Sequence, residues 1–472
     1  MVDSGFLKLL RDRELGLREG GMRPLDLLAR HREQSLYQRD LKHHTGCVNA
    51  LEFSHNEDFL LSAGDDGDVV LWTTHAMMNE ERARPLKTMD SVHLSNIFTL
   101  GFSLDDRVGY SAGNDQRFRA HDLTSGQCTY TFTTRRSIHR LDPHPLHESI
   151  VAVASEDQEL YIADTRVKGY SSYPLGNAVY SVKYNPLHPE LVVVALNRAG
   201  IAVYDTRNMA EPFAQMKSCK TAEGNRCTHA VWNPSGTGVA AVLTRGDLAF
   251  YRCLDNSYTI LTDPQYCNQI TMKSCTFVDD DAILCGSDRW DIFAWKIPAE
   301  PEVAKVTDAY AILKGHRSIC NHIRYSPRNN LIASSGVEKI VKVWSPFEMQ
   351  GSVRDPPRRQ SSLHGAQPFV HDYDAADSQE EDLTTLFQFD YYVENAMNEG
   401  NVLADDSDED GSDDSDFNFA AASIHFQWGS PYDEPSSASS GDDLPSDSEL
   451  PPLIVEGDEE EANGGDSDES EE

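Results

Sequence analysis

Apolar and polar residues alternate in short runs along much of the chain, and turn residues separate the runs. The segment 178–196, AVYSVKYNPLHPELVVVAL, shows two such runs on either side of an Asn-Pro turn. A period of two residues is typical of β-strands, whose successive side chains point to opposite faces, rather than of helices. The pattern therefore predicts short antiparallel strands joined by tight turns.

The runs fall into copies of one repeat. Each copy has a His or Gly, an apolar strand with an aromatic end, a second short strand, an Asp or Gly turn, and a third strand with an aromatic or Trp-Asp-like end. Seven copies that recur every 41 to 50 residues predict an all-β, seven-bladed β-propeller of the WD40 type. The third strands end at Trp72, Asp122, Asp164, Asp205, Tyr251, Trp295 and Trp344.

The segment before the first repeat completes the predicted ring. The last repeat ends soon after Trp344, which leaves its blade one strand short, while the segment from Leu36 to Leu41 has no partner of its own. We expect this segment to form the outer strand of the seventh blade; the alternative is that it continues a helix from Pro24. The predicted organisation is a helical segment at 1–34, the propeller at 35–350 and a tail at 351–472.

Aspartates recur in the turn between the second and third strands of a repeat. Their carboxylates can accept hydrogen bonds from N–H groups of the turn and from the His or Ser at the start of the same repeat. We expect a structural role for four of them, Asp66, Asp115, Asp157 and Asp288.

Charge divides the chain into a body and a tail. The formal net charge is −36, but residues 371–472 hold 33 acidic residues and no Lys or Arg, which leaves 44 acidic and 41 basic residues in the body. A nearly neutral body lacks the clustered cations that a protein needs in order to bind nucleic acid or an anionic membrane directly. The acidic tail buries too little apolar surface to fold alone, so we expect it to be disordered and to favour solubility or a basic protein partner.

Three kinds of short motif stand out in the tail. Residues 381–397 could form an amphipathic helix and residues 417–429 an aromatic patch that folds on binding; the alternative is an inert, solvated tail. Ser407, Ser440 and Ser446 each have an acid three residues later, the pattern that acidophilic kinases prefer.

The motifs of common enzyme classes do not occur in the sequence. It has no phosphate-binding Gly-x-x-x-x-Gly-Lys-Ser/Thr loop, no His-Glu-x-x-His and no Gly-x-Ser-x-Gly. Nine cysteines are scattered singly, without the spacing of a zinc site, which indicates thiols in a reducing compartment. We therefore expect a protein without catalytic residues, metal or cofactor. Because neither a signal peptide nor a long apolar run occurs, we expect it inside the cell, in the nucleus and/or the cytoplasm.

Two neighbouring repeats end in the same Asp-Thr-Arg sequence. Asp164 and Arg166 close the third repeat, and Asp205 and Arg207 close the fourth, so the arginines stand one repeat apart. Propeller geometry then places both guanidinium groups on one face of adjacent blades, where they suit a partner's carboxylates or carbonyls. The alternative is that each arginine bonds the strand-end backbone of its own blade.

These strand ends carry a resemblance to a known family. SIVAVASEDQELYIADTR and ELVVVALNRAGIAVYDTR resemble the boxes ending in Trp-Asp-x-Arg of the WD40 substrate receptors of cullin-4 RING ubiquitin ligases, although Ala163 and Tyr204 replace the tryptophan. GCVNALEFS, LLSAGDDGDVVLW and LKGHRSICNHIRYSPRNNLIASSGVEKIVKVWSP extend the resemblance over residues 36–350. It implies that Asp164, Arg166, Asp205 and Arg207 bind the damaged-DNA-binding adaptor protein, DDB1.

Receptors of that family use a helical segment before the propeller to enter a groove of the adaptor. Here FLKLLRDRELGL and PLDLLARHREQSL predict two short amphipathic helices, and Pro24 suits a first helical turn. The resemblance implies that Leu25 and Leu28 of the second helix contact the adaptor. The alternative is a basic, disordered leader such as a targeting peptide.

These observations leave two possible functions, and in both the chain binds other proteins. In the first, which the resemblance implies, the chain is the substrate-recognition subunit of a cullin-4 E3 ubiquitin ligase, bound to a DDB1-type adaptor and to a protein substrate of unknown identity. In the second, it is a WD40 scaffold, or an acidic-tailed chaperone or reader for basic nuclear proteins such as histones.

Overall fold

The structure, a computed structural model, describes residues 24–90, 93–216, 227–243, 246–299 and 303–355. These residues form seven sheets, one for each blade of a ring, and the predicted seven-bladed propeller is confirmed. Outside the described residues lie the first predicted helix and the predictions for the tail, namely its disorder, the motifs at 381–397 and 417–429, and Ser407, Ser440 and Ser446.

The chain reaches the ring through a helix and a strand, α1 (Pro24–Glu33) and β1 (Tyr37–Lys42). A second helix, α2 (Thr74–Asn79), follows the third strand of blade 1. The strands of blades 1 to 3 are β2 (Val48–Phe53), β3 (Phe59–Gly64), β4 (Val69–Thr73), β5 (Lys87–Thr88), β6 (Ile97–Phe102), β7 (Val108–Gly113), β8 (Arg117–Asp122), β9 (Cys128–Thr133), β10 (Ile138–Pro143), β11 (Ile150–Ser155), β12 (Glu159–Asp164) and β13 (Gly169–Pro174).

Blades 4 to 7 continue the same order of antiparallel strands. Blade 5 gains a fifth strand, because a short strand from the third loop of blade 6 pairs in parallel with its outer strand. The strands are β14 (Val179–Tyr184), β15 (Leu191–Leu196), β16 (Gly200–Asp205), β17 (Ala214–Gln215), β18 (Cys227–Trp232), β19 (Gly238–Leu243), β20 (Leu248–Arg252), β21 (Tyr258–Leu261), β22 (Cys275–Asp279), β23 (Ala282–Gly286), β24 (Ile292–Lys296), β25 (Lys305–Val306), β26 (Ala311–Leu313), β27 (Cys320–Ser326), β28 (Leu331–Gly336) and β29 (Ile340–Ser345).

Strand β1 closes the ring. It pairs antiparallel with β29, from Tyr37 opposite Ser345 to Lys42 opposite Ile340, so the predicted outer strand of blade 7 is confirmed. Helix α1 ends at Glu33, and the alternative of a helix that continues through this segment is wrong.

The loops of the blades fall on two faces of the ring. We call the four strands of a blade a to d, from the channel outwards. Because neighbouring strands run antiparallel, the a–b and c–d loops lie on one face, which we call the AB–CD face. The b–c turns and the connections from d to the next a lie on the opposite, BC–DA face.

Polar side chains tie the turns together on the BC–DA face. In blade 1, His44 Nδ1 lies 2.8 Å from Asp66 Oδ2, and His44 Nε2 lies 2.7 Å from Ser62 Oγ. Trp72, fully buried, donates its Nε1–H to the same hydroxyl oxygen at 2.9 Å. The four side chains thereby satisfy one another where water is excluded, as buried polar groups must.

The other turn aspartates have partners of their own. These pairs are Asp115 with His93 at 3.0 Å, Asp157 with the Tyr161 hydroxyl at 2.7 Å, and Asp288 with Lys273 at 2.5 Å. In blade 7 the position belongs to Glu338, which the sequence analysis did not single out and whose Oε2 lies 2.5 Å from His316 Nδ1. His316 and Glu338 are 22 residues apart, as are His44 and Asp66, and this spacing was the signal for Glu338.

Candidate partner-binding face

The Asp-Thr-Arg ends of blades 3 and 4 fold into the same turn. Asp164 Oδ1 accepts the backbone N–H of Arg166 at 2.9 Å, and Asp205 Oδ1 accepts that of Arg207, also at 2.9 Å. Both turns follow strand c, so the structure places both arginines on the AB–CD face, at equivalent positions of adjacent blades.

The threonine in the middle of each sequence fastens its turn. Thr165 Oγ1 donates to the carbonyl oxygen of Ser149 at 3.2 Å, and Thr206 Oγ1 donates to that of Glu190 at 3.1 Å. The backbone N–H of each threonine donates to the same carbonyl at 2.8 Å. Each c–d turn is thereby joined to the a–b loop of its blade. These threonines were not predicted as functional from the sequence, although their repetition between Asp and Arg was a signal.

Each arginine side chain bends back toward the aspartate of its own turn. Arg207 donates to Asp205 through Nε at 2.9 Å and Nη2 at 2.6 Å, whereas Arg166 reaches Asp164 with Nη2 alone at 3.5 Å. The bonds described for both guanidinium groups therefore go to a carboxylate, not to strand-end backbone. The Arg166 and Arg207 side chains stay 75% and 71% exposed, so a partner can reach them.

The two ion pairs differ in how firmly they hold their arginine. Hydrogen bonds from the Arg207 side chain and backbone lower the pKa of Asp205 to about 2, and the carboxylate raises the pKa of Arg207. Both groups therefore stay charged near neutral pH. A partner's carboxylate would have to share Arg207 with Asp205, whereas Arg166 is held by a single long contact and is freer to turn outwards.

Apolar side chains crowd the same face. Of the nine large, exposed apolar residues in the described ranges, five lie in a–b or c–d loops of blades 3, 4 and 5 and are 63 to 97% exposed. They are Leu146, Val167, Leu187, Phe213 and Leu254. Exposed apolar side chains with arginines among them are typical of protein-binding surfaces.

Helix α1 packs on the propeller itself. Leu27 and Leu28 are fully buried in the core that blades 6 and 7 share, against residues such as Ala311 and Trp344. His31 Nδ1 accepts the backbone N–H of Leu36 at 3.3 Å, so Nε2 carries the proton and donates to the carbonyl oxygen of Ile312 at 2.9 Å. Leu28 thus secures α1 to the ring rather than facing a partner.

The structure does not bring the two predicted parts of an adaptor site together. Leu28 lies against blades 6 and 7, whereas Arg166 and Arg207 lie on blades 3 and 4. The side chain of Leu25 is outside the described residues.

The described ranges contain no helix that is both long and apolar enough to span a membrane. In the same ranges, no group of three or more His, Cys, Asp or Glu side chains is arranged to hold a metal ion.

Comparisons with known proteins agree with this architecture. The sequence matches the WD40 family, described as WD domain, G-beta repeat, over residues 35–73 and 308–345. DDB1- and CUL4-associated factor 5 of Mus musculus and that of Homo sapiens are each 31% identical over 387 residues, which is 79% of this chain and 38% of theirs. WD and tetratricopeptide repeats protein 1 of Homo sapiens is 25% identical over 197 residues, which is 39% of this chain and 28% of its own.

The chain spans only about two fifths of the length of the factor 5 proteins. The chain is thus a WD40-repeat protein that is similar, over 79% of its own length, to DDB1- and CUL4-associated factor 5.

Proposed function

We propose that the chain is the substrate-recognition subunit of a cullin-4 E3 ubiquitin ligase and that the AB–CD face of blades 3 to 5 binds the DDB1 adaptor. The observation that supports this most is the pair of matching Asp-Thr-Arg turns, whose exposed arginines lie on a face with five exposed apolar side chains. The relatives are named for association with DDB1 and CUL4.

In this role the chain supplies binding surfaces and no reacting group. Asp164 and Asp205 hold the turns, while Arg166 and Arg207 offer planar donors to carboxylates or carbonyls of the adaptor. Leu28 contributes by seating α1 on blades 6 and 7, and Leu25 contacts a groove of the adaptor. The BC–DA face is left for the protein substrate.

Affinity purification from cells tests the proposal. We expect Arg166→Ala/Arg207→Ala to lose DDB1 and cullin-4, and Leu254→Asp to weaken their recovery. Arg135→Ala is the matched control, because Arg135 is 80% exposed in blade 3 but lies on the BC–DA face. The proposal would be overturned if the double substitution left the recovery of DDB1 and cullin-4 unchanged.

A second candidate is supported by the 33 acidic residues of 371–472, which suit a chaperone or reader for basic nuclear proteins such as histones. Deleting 371–472 separates the two functions. Loss of histones with DDB1 retained favours a chaperone activity of the tail, and loss of neither restricts the function to the propeller.

A further inference from the structure

The innermost strands place one set of side chains at the same level of the central channel. In six blades, strand a has a bulge or irregularity at the same position, and the residue after it begins the regular pairing with strand b. Bulges redirect the side chains beside them. We call the residues after the bulges the channel ring: Ala50, Thr99, Arg140, Ser181, His229 and His322.

Two members of the channel ring meet across the channel. Arg140 Nη1 of blade 3 lies 2.6 Å from His322 Nε2 of blade 7, and these blades are not neighbours. His229 of blade 5 is close enough to Arg140 for the arginine's charge to lower the pKa of the histidine, to which burial contributes most. One arginine and two histidines, from alternate blades, thus converge on one space.

Backbone hydrogen bonds determine which nitrogen of each histidine carries the proton. The N–H of Leu51 donates to His322 Nδ1 at 3.2 Å, and the N–H of Cys275 donates to His229 Nδ1 at 3.3 Å. A backbone N–H only donates, so both Nδ1 atoms accept. In the neutral ring the proton is then on Nε2, which makes each Nε2 a donor.

The contact between Arg140 and His322 is therefore a contact between two donors. A guanidinium has no acceptor, and His322 Nε2 already carries a proton, so the 2.6 Å approach satisfies neither group. The other described bond of Arg140, from Nη1 to the carbonyl oxygen of Phe98, is long at 3.4 Å. In the described part of the chain, no carboxylate forms an ion pair with Arg140.

The neighbouring carboxylates form their ion pairs with other cations and not with Arg140. Two residues further along the strands, Arg324 Nε donates to Glu52 at 2.7 Å and Lys183 Nζ donates to Asp142 at 2.6 Å. Burial, with Arg324 nearby, lowers the pKa of Arg140 to about 9, so it remains a cation at neutral pH. Among these five charged groups, one positive charge is in excess.

We propose that the central channel binds a small inorganic oxyanion of the phosphate class, held by the Arg140 guanidinium and the Nε2–H groups of His229 and His322. Such an anion supplies the acceptor that the three donors lack and balances the excess charge. The Lys183 side chain, two residues nearer the AB–CD face, is 43% exposed, so the channel is open from that side.

Inorganic phosphate is the probe that tests this proposal on the full chain. We expect isothermal titration calorimetry to show saturable binding of phosphate, and the Tm to rise with phosphate relative to sodium chloride of equal ionic strength. Arg140→Gln should abolish the binding, and His229→Gln should weaken it roughly tenfold. Arg135→Gln, on the surface of the same blade, should leave it unchanged.

The design separates a binding defect from a folding defect. Circular dichroism without phosphate shows whether each variant folds. If Arg140→Gln does not fold, the test is nitrogen-15 NMR of the histidines in the wild-type protein. Phosphate must then shift the Nε2–H signals of His229 and His322. Any of three results would overturn the proposal: the same change in Tm with phosphate as with chloride, no saturable heat of binding, or equal phosphate affinity of the wild type and a folded Arg140→Gln variant.

Discussion

Glu338 Oε2 and His316 Nδ1 lie 2.5 Å apart in a hydrogen bond between two fully buried side chains. The imidazole also lies 2.7 Å from Ser334 Oγ, to which Trp344 donates, and Arg317 donates to the second carboxylate oxygen at 3.0 Å. Blade 7, which carries the closing strand, is therefore held on the BC–DA face by a glutamate where blades 1 and 2 use an aspartate.

Glu338→Gln should destabilise the propeller by roughly 3 to 5 kcal/mol at pH 7, because it leaves buried partners without their counter-charge. Burial alone would raise the pKa of Glu338, but His316, Arg317 and Lys342 outweigh it and lower the pKa below 4.5. The carboxylate's contribution to the free energy of unfolding is therefore fully present above pH 4.5. It is lost as the pH falls through the lower pKa that Glu338 has in the folded protein. Urea unfolding should show that Glu338→Gln lowers the free energy of unfolding less below pH 4 than at pH 7. Glu348→Gln, at an exposed position after β29, is the control.

Much of the fold could be predicted from the sequence pattern, whereas side-chain contacts between distant residues could not. The alternation of apolar residues and the repeat spacing predicted the seven blades, since both reflect local backbone geometry, and the strand missing from the last repeat predicted the role of β1. Nothing in the local sequence showed that Leu28 would be buried by blades 6 and 7, or that Arg140 would meet His322, 182 residues away. The amphipathic pattern of α1 indicated that one face is covered, but not by what.

Helix α1 should stabilise the ring through its two buried leucines. Leu27→Ala and Leu28→Ala should each lower the free energy of unfolding by about 2 to 5 kcal/mol, because each leaves a cavity between blades 6 and 7. Leu254→Ala is the same substitution at a position that is 97% exposed and should change stability little. Chemical unfolding measures all three, and equal stabilities would show that α1 is not seated on the ring.

Arg39 should couple the closing strand to blade 1. Its Nη1 donates to the carbonyl oxygens of Met77 and Glu80 at 2.7 and 2.9 Å, and its Nη2 donates to that of Glu81 at 3.2 Å. These carbonyls lie at or just beyond the end of α2, where a cation is favoured by the helix dipole.

Arg39→Ala leaves those carbonyls without their donor. It should lower the free energy of unfolding, measured with urea, by about 2 to 3 kcal/mol. Amide hydrogen exchange should also speed up in both β1 and α2. Lys42→Ala, at the exposed end of the same strand, should do neither. Faster exchange in α2 alone would mean that Arg39 does not link the two elements.

His121 should make the propeller sensitive to acid. It is fully buried beside Ser111, and burial, with His93 and Arg119, lowers its pKa to about 3. Between pH 6.5 and 3 the unfolded chain binds a proton at this residue that the folded chain does not. The contribution of His121 to stability is therefore greatest above pH 6.5 and falls by about 1.4 kcal/mol for each unit below it.

His121→Gln removes this titration, so its free energy of unfolding should fall less steeply than that of the wild type between pH 7 and pH 5. Other buried histidines, His139 among them, keep titrating in both proteins, and only the difference between the slopes reports on His121. His75→Gln, at an exposed position in α2, should leave the wild-type slope unchanged. Parallel curves for wild type and His121→Gln would show that His121 becomes protonated within the folded propeller.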